Sequence, residues 1–576
     1  MHFPPFLLIL SFLAFSSHAF LLFQEVLQPW TQYSFLNSLF GGGNNGSRSL
    51  SGDVTTLDTW LETEQQVALE RLLANIAPGG RNTDGAVPGT VIASPSREHP
   101  DYYYQWTRDS AITLSTLVRI YATSADTKLL ARIDTIFSSY IDLQRRLQQT
   151  PNPSGTYDDL TALGEPKFLV SGDPFTGSWG RPQRDGPALR ALTLTHYLRA
   201  YNSSQPSLWN STEEAGSAEF FRKLYDAKLP TDSVIKADLE YVSHYWQSPG
   251  FDLWEEVDGL HFFTAMVQIK ALKEGASLAL AFGDEGAAAW YDEQHSAMLI
   301  FMEQFQDVEK GRIRSTLNSS RSGLDCSVIL GSLSAIDNTY PGDDDDDDDS
   351  EGTELPFPPW SDAVLLSAYS LITDAAARFP INNQSLKSLS DPASSPFEGV
   401  GIGRYPEDVY DGYATASTGN PWFLCTSAVG QFLHLLALHY SPSYSSSSSS
   451  PAPQEQSPLD QPQPPPTNSK PPSSPSLTIT PHTYPFWHAI NPSTVTNASA
   501  TTTWNQTDPD LADTVQKLRM AGDGFLDVVR RHADAEGGLS EQFDRDTGFC
   551  RGAADLTWSY GALLEAAAWR ERSAYG

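Results

Sequence analysis

Eleven stretches of this chain repeat apolar residues at three- and four-residue spacing, and almost none alternates them every second residue. A helix with 3.6 residues per turn buries such a stripe, whereas a half-buried strand needs a period of two. The stretches are 55–76, 109–122, 126–148, 184–201, 217–246, 263–282, 286–306, 361–377, 422–440, 510–533 and 556–572, with Asp109 and Asp510 as helix-start signals. No strand–helix rhythm separates them, so the fold class is all-α. Long loops join the helices, which favours a closed ring of paired helices over a short-loop bundle. Those loops hold most of the Trp, Gly, Pro and acidic clusters, and loops of that kind carry function.

Composition narrows the function. The 70 Asp+Glu against 37 Lys+Arg give a net charge of −33, which repels nucleic acid and an anionic membrane surface. The run Asp343–Asp349 supplies seven of those charges, and the rest of the chain is still acidic. Hydrophobic residues at 40% suffice for a large core in 576 residues. Residues 1–19 read as a secretory signal, an apolar stretch ending in Ser17-His18-Ala19; an uncleaved anchor is the alternative because the start has no Lys or Arg. Residues 20–50 read as a poorly ordered extension, and 51–576 as one domain. No later run approaches the ~18 apolar residues of a membrane span. Seven Asn-x-Ser/Thr sequons, at Asn45, Asn202, Asn210, Asn318, Asn383, Asn497 and Asn505, agree with export of a glycoprotein. Cys326, Cys425 and Cys550 permit at most one intrachain disulfide. No CxxC or HExxH pattern suggests a metal. Two segments, about 341–354 and 441–475, are low-complexity insertions that cannot bury a core.

Five loop-like clusters combine aromatic faces, arginines and carboxylates. They are Asp101–Asp109 (DYYYQWTRD), Gly177–Asp185 (GSWGRPQRD), Asp252–Glu256 (DLWEE), Gly403–Asp408 (GRYPED) with Asn420–Trp422, and Leu539–Phe543 (LSEQF), which precedes a helix bearing Trp558. Sugars present apolar C–H faces and a fan of hydroxyls, so a sugar pocket needs flat aromatic platforms and charged hydrogen-bonding groups. A single Trp is more often core packing than platform. Five such clusters reverse that preference. Glycoside hydrolysis needs two carboxyl groups, one protonated and one ionised. Glu255, directly after Trp254, has the apolar neighbour expected to keep a carboxyl protonated. Adjacent Glu256 points elsewhere on any regular backbone, so the pair cannot share one role.

The stretches YYYQWTRDS, LGEPKF, GSWGRPQRDGPALRA, FDLWEEVDG, VGIGRYPEDVY with NPWFLC, LSEQFD and DLTWSYGALL occur in the order seen in fungal glucoamylases, the family 15 glycoside hydrolases, which the chain resembles from about Leu57 to Ala567. The resemblance implies an (α/α)6 barrel of six inner and six outer helices, with the pocket built by loops at one end. It implies Glu255 as general acid and Glu541 as general base of an inverting, exo-acting hydrolysis that releases β-D-glucose. The substrates implied are starch, dextrins and maltooligosaccharides, cut at terminal α-1,4 and more slowly α-1,6 links. Arg108 and Asp109 would clamp the terminal glucose, with Arg404 and Glu256 as further partners. Tyr102 would lie near the base, and Trp106, Trp179, Trp254, Trp422 and Trp558 would line the pocket and its subsites. No cofactor is needed and a monomer is expected.

Four departures from the family pattern matter. An extra stretch after Tyr410 leaves open whether Tyr410 or Tyr413 touches sugar. The Ser/Pro tract falls between two matching motifs, so it is an insertion within one domain. No starch-binding domain follows the last helix, so tight adsorption to raw granules is not expected from a separate module. The family's paired cysteines are mostly absent: Cys425 fits a position usually unpaired, and whether Cys326 and Cys550 are bridged is left open by the sequence. Two alternatives to the main reading remain: a related barrel acting on another α-glucan linkage, and a catalytically inactive sugar-binding glycoprotein, against which the retention of both Glu255 and Glu541 argues.

Overall fold

Helix α1 (Leu57–Ala74) begins a succession of paired helices in the computed structural model, which describes residues 56–204, 215–334, 336, 355–383, 395–414, 418–441 and 476–575. It is followed by α2 (Thr107–Thr123), α3 (Thr127–Gln149), α4 (Asp185–Ser204), α5 (Ala215–Leu224), α6 (Val234–Tyr245), α7 (Phe262–Ala281) and α8 (Glu285–Met302). The remainder are α9 (Cys326–Ser334), α10 (Asp362–Arg378), α11 (Phe423–His439), α12 (Tyr484–Ile490), α13 (Pro509–His532) and α14 (Thr557–Tyr575). Two burial patterns separate them. In α3 the buried residues Ile133, Ile136, Phe137, Tyr140, Ile141, Gln144 and Leu147 form one stripe, the signature of a helix with one face to solvent. In α11 almost every residue from Phe423 to Leu438 is buried, which demands neighbours on all sides.

Packing turns this difference into two rings. Helices α2, α4, α7, α9, α11 and α14 touch in that order and close, α14 packing back on α2. Outside them, α1 packs on α14, α3 on α2 and α6, α6 on α4 and α7, α8 on α7, α10 on α9, and α13 on α11 and α14. This is an (α/α)6 barrel, as the resemblance implies. One buried knot ties three helices together. Arg190 of α4 donates from Nε (2.8 Å) and Nη2 (2.6 Å) to the Asp238 carboxylate of α6, and Gln144 and Gln148 of α3 bond Arg190 and Asp238 in turn. Breaking such a buried pair by removing one partner costs about 3–5 kcal/mol.

Several expectations are corrected. The stretch 217–246 is two helices, because Pro230 lacks an N–H and disfavours helical geometry at Leu229. Stretch 286–306 leaves the α-helix at Met302 and passes into a short strand, β5 (Gln306–Asp307), paired with β6 (Arg312–Ile313). Helices α9 and α12 lie outside the eleven stretches. The start signals Asp109 and Asp510 do sit in the first turns of α2 and α13: Trp106 caps α2, and the Asp508 carboxylate caps α13 by accepting from the Asp510 N–H, with Pro509 as the first helical residue. The bridge joins Cys326 to Cys425, not to Cys550. Cys326 opens α9 and Cys425 lies in the first turn of the neighbouring α11, with Cα atoms 6.0 Å apart, whereas Cys550 is exposed and unpaired in a hairpin strand.

Strands are confined to short antiparallel pairs. Those that position the site are β1 (Gln105–Trp106) with β2 (Lys167–Phe168), β3 (Gly250–Phe251) with β4 (Asp258–Gly259), and β9 (Gln542–Phe543) with β10 (Cys550–Arg551). A further pair is β7 (Leu477–Ile479) with β8 (Thr502–Trp504). The proposed signal, the N-terminal extension, the acidic run and nearly all of the Ser/Pro tract lie outside the described residues. Helices on both sides of the tract, α11 and α13, pack against each other within the unit Thr56–Gly576. Among the described residues no helix is long and apolar enough to cross a membrane.

Candidate active site

All six inner helices begin at the same end of the barrel, and the residues that start or precede them converge there. Trp106 caps α2, with Arg108 and Asp109 in its first turn; Gln183 and Asp185 open α4; the β3–β4 hairpin carrying Glu255 and Glu256 leads into α7. Asp325 precedes α9, Trp422 caps α11, and Trp558 is in the first turn of α14, which is preceded by the β9–β10 hairpin that starts just after Glu541. A cavity of about 300 Å³ opens among them, at the lower end of the range for small-ligand sites. Its wall brings together all twelve residues singled out from the sequence: Tyr102, Trp106, Arg108, Asp109, Trp179, Trp254, Glu255, Glu256, Arg404, Trp422, Glu541 and Trp558. It adds Tyr410, Leu253, Leu556, Ala93 and Gly180. Helix N-termini favour negative charge, which suits the carboxylates gathered at this end.

Glu255 sits at the tip of the β3–β4 hairpin with φ = 67°, a left-handed conformation that costs a non-glycine residue about 1 kcal/mol or more. Asp252 holds the turn: its carboxylate accepts from the backbone N–H of Glu256 (2.7 Å) and Val257 (3.0 Å), while its carbonyl accepts from Glu255 N–H (2.9 Å). The left-handed turn separates the two glutamates. Glu255 Oε1 accepts from Trp106 Nε1 (2.7 Å), Gln183 Nε2 (2.9 Å) and Arg108 Nη2 (3.4 Å). Its Oε2 makes no hydrogen bond with the described residues. Glu256 turns to the other side, where Oε1 accepts from Arg404 (2.9 Å) and Oε2 from Arg321 (2.7 Å) and the Tyr405 hydroxyl. Burial opposes its charge, but Arg404, Tyr405 and Arg321 outweigh burial and hold its carboxyl below the usual range. Glu256 is therefore a fixed anion, not a proton donor.

The surroundings of Glu255 differ from the apolar setting expected of it. The Trp254 indole N–H is turned away to Asp325 (3.0 Å), and the groups on Glu255 are polar. Burial acts on Glu541 instead. Its carboxyl is pushed up to about 7 by burial, against the hydroxyls of Tyr102 and Tyr410, the charge of Arg404 and the backbone bond to Ala553, all of which favour the ionised form. Tyr102 donates to Oε1 (2.8 Å) and Tyr410 to Oε2 (3.1 Å). Behind Oε2 two glycine backbones meet. A Cβ on Gly552 would lie 2.3 Å from Glu541 Oε2, and one on Gly412 would lie 2.9 Å from the Gly552 Cα.

The arginines are fastened from behind. Arg404, fully buried, grips Asp408 with two bonds (2.9 and 2.7 Å), and Asp408 also accepts the N–H of Tyr410. Its guanidinium lies 5.0 Å from the Trp422 ring and 5.3 Å from that of Trp254. Arg108 bonds Gln183 (2.7 Å) and Asp185 (3.1 Å) and pairs with Asp109 (3.5 Å). The Asp109 carboxyl is pushed up to about 6 by burial, with Arg108 opposing. Trp106 and Trp179 lie 5.9 Å apart, and Trp254 and Trp422 5.7 Å apart, each pair tilted at 60°.

Position separates the two tyrosines. Tyr410 lines the cavity and bonds Glu541, whereas Tyr413 is half exposed with Arg551 over its ring (4.6 Å). Gln183, Lys167, Asp185, Asp325, Tyr405, Asp408 and Arg321 support the site and were not singled out from the sequence. Their signal was present for Lys167, Gln183, Asp185, Tyr405 and Asp408, which lie inside the quoted motifs.

Residues 66–568 match the family described as glycosyl hydrolases family 15. The glucoamylase GLU1 of Saccharomycopsis fibuligera is 37% identical over 534 residues, covering 89% of this chain and 90% of that protein. A Saccharomyces cerevisiae relative described as an intracellular, sporulation-specific glucoamylase is 32% identical, covering 89% and 84%. The atomic-resolution structure of a Saccharomycopsis fibuligera glucoamylase superposes with a TM-score of 0.73 at 35% identity, covering 92% of this chain and 98% of that one.

Proposed function

The chain belongs to glycosyl hydrolase family 15, and from that membership and the pocket we propose how it works: as a glucan 1,4-α-glucosidase in which Glu255 is the general acid and Glu541 the general base. It is a glycoside hydrolase of glucoamylase type that removes terminal glucose from starch-like chains. The observation that carries the assignment of roles is the separate anchoring of two carboxyl groups in one aromatic cavity. Three donors occupy Glu255 Oε1 and leave Oε2 to carry a proton to the glycosidic oxygen. As the bond from the anomeric carbon to that oxygen breaks, Glu541 takes a proton from a water whose oxygen bonds the carbon from the other face. The product is β-D-glucose. Arg108, Asp109, Arg404 and Glu256 offer fixed charges to sugar hydroxyls, and the tryptophans cover the C–H faces.

Burial favours a proton on Glu541 in the empty cavity, which runs against a base. Two tyrosine hydroxyls that donate to its two oxygens support the ionised form that a base requires. Export by residues 1–19, glycosylation and a monomeric state complete the proposal. Incubation with maltoheptaose followed by proton NMR tests the core reading. Early β-glucose as the sole product supports it, and α-glucose or internal fragments overturn it.

A further inference from the structure

Behind the aromatic wall of the pocket lies a buried ammonium group that the reaction scheme does not use. Lys167 is 2% exposed and stands directly across the β1–β2 ladder from Trp106. Its Nζ lies 3.6 Å from the ring centre of Trp179, 4.0 Å from Tyr104, 4.4 Å from Phe175 and 4.5 Å from Trp106. The four rings close a cycle around it: Tyr104 to Trp106 at 6.0 Å, Trp106 to Trp179 at 5.9 Å, Trp179 to Phe175 at 5.8 Å and Phe175 to Tyr104 at 5.4 Å. The ammonium makes no hydrogen bond or ion pair with the described residues. A charge buried without a carboxylate is expensive, and a methionine would fill the same volume without that cost. The negative faces of aromatic rings offset the cost only if the rings stay turned toward the cation.

Two of the four rings, Trp106 and Trp179, face the cavity, and Trp106 also donates its indole N–H to Glu255. We propose that Lys167 is a positioning residue for the reaction: its ammonium fixes the tilt of Trp106 and Trp179, and through Trp106 the placement of Glu255 Oε1. The inference rests on the pocket being the glucan site argued above. The charged groups acting on Lys167 are Glu255, Asp101 and Arg181, the last paired with Glu165 at 3.0 Å. Burial lowers the ammonium to about 8, against Glu255 and Asp101, so mild alkali removes the charge that holds the rings.

The test pairs Lys167→Met, which keeps the length and removes the charge, with Lys167→Arg, which keeps the charge. For maltotriose, kcat/KM is expected to fall on the order of tenfold in the Met variant, the equivalent of one desolvated cation–π contact, and to recover in the Arg variant. In a Glu255→Gln background, where turnover is slowed by about 10²–10⁴, maltotriose binding followed by tryptophan fluorescence is expected to weaken as the pH rises, with a midpoint below about 8 because the Glu255 charge that raises the ammonium is gone. The double variant with Lys167→Met should lack that step. Wild-type kcat/KM in the Met variant, or equal losses in Met and Arg, overturns the proposal. If the Met variant does not fold, the Glu255→Gln titration decides alone, and a flat affinity between about pH 6 and 9 overturns it. Absence of glucose release by the unaltered protein would count against the functional reading instead.

Discussion

Exchanging each carboxyl for an amide separates the acid from the base, and the structure makes the exchange clean. In Glu255→Gln the amide oxygen still accepts from Trp106 and Gln183, and Arg108 keeps Asp185 and Asp109, so the wall stays assembled. Only the transferable proton and one charge are lost. General acid or base catalysis is worth about 10²–10⁴ in rate, or about 3–5 kcal/mol. On maltose both Glu255→Gln and Glu541→Gln are therefore expected to lose about 10²–10⁴ in kcat. α-D-Glucosyl fluoride needs no proton to leave, so on this substrate Glu255→Gln should stay within about tenfold of the unaltered protein, while Glu541→Gln should lose as much as on maltose. The comparison also decides what burial leaves open. Burial pushes the Glu541 carboxyl up to about 7, the direction expected of a proton carrier. Recovery of Glu541→Gln on the fluoride, with Glu255→Gln inactive on both substrates, would refute the assignment and exchange the two roles.

Gly552→Ala places a Cβ 2.3 Å from Glu541 Oε2 at φ = 74°; it should cut kcat on maltose by about 10² or more while maltose still binds, measured by kinetics and fluorescence titration. Tyr410→Phe removes a donor that favours the ionised base, so the Glu541 carboxyl should rise further above its present value of about 7. Because the base must be ionised, the acid limb of kcat/KM moves to higher pH, by about one unit for one charged hydrogen bond; no shift would count against Glu541 as base. Reduction of the Cys326–Cys425 bridge, which closes a separation of 99 residues, should lower stability by up to about 4–5 kcal/mol, seen as a lower urea midpoint. Cys550→Ser, at an exposed unpaired thiol, should leave the midpoint unchanged.

The parts of this molecule legible in the sequence are those whose information is local. Outer helices such as α3 display a stripe at helical spacing because one face meets water, which made α3 legible as the stretch 126–148. Helix α9 has no stripe to display: nine residues, Cys326 to Ser334, with six of them buried and neighbours on several sides. The twelve pocket residues were recoverable because each lies inside a motif dense in aromatics and charge. What each carboxyl experiences was not. Sequence adjacency offered Trp254 as the environment of Glu255, yet the left-handed turn at Glu255 sends the two side chains to different partners. The groups that touch Glu255 come from Trp106, Arg108 and Gln183, at least 72 positions away, and those that bury Glu541 come from Tyr102, Tyr410 and Gly552. The cysteines follow the same rule. Cys326 finds Cys425 because α9 and α11 are neighbours in the inner ring, a relation that ring closure creates. In a barrel of this kind the identity of a site residue can be read from its own motif, but its protonation and its bonds belong to the order of the helices around the ring.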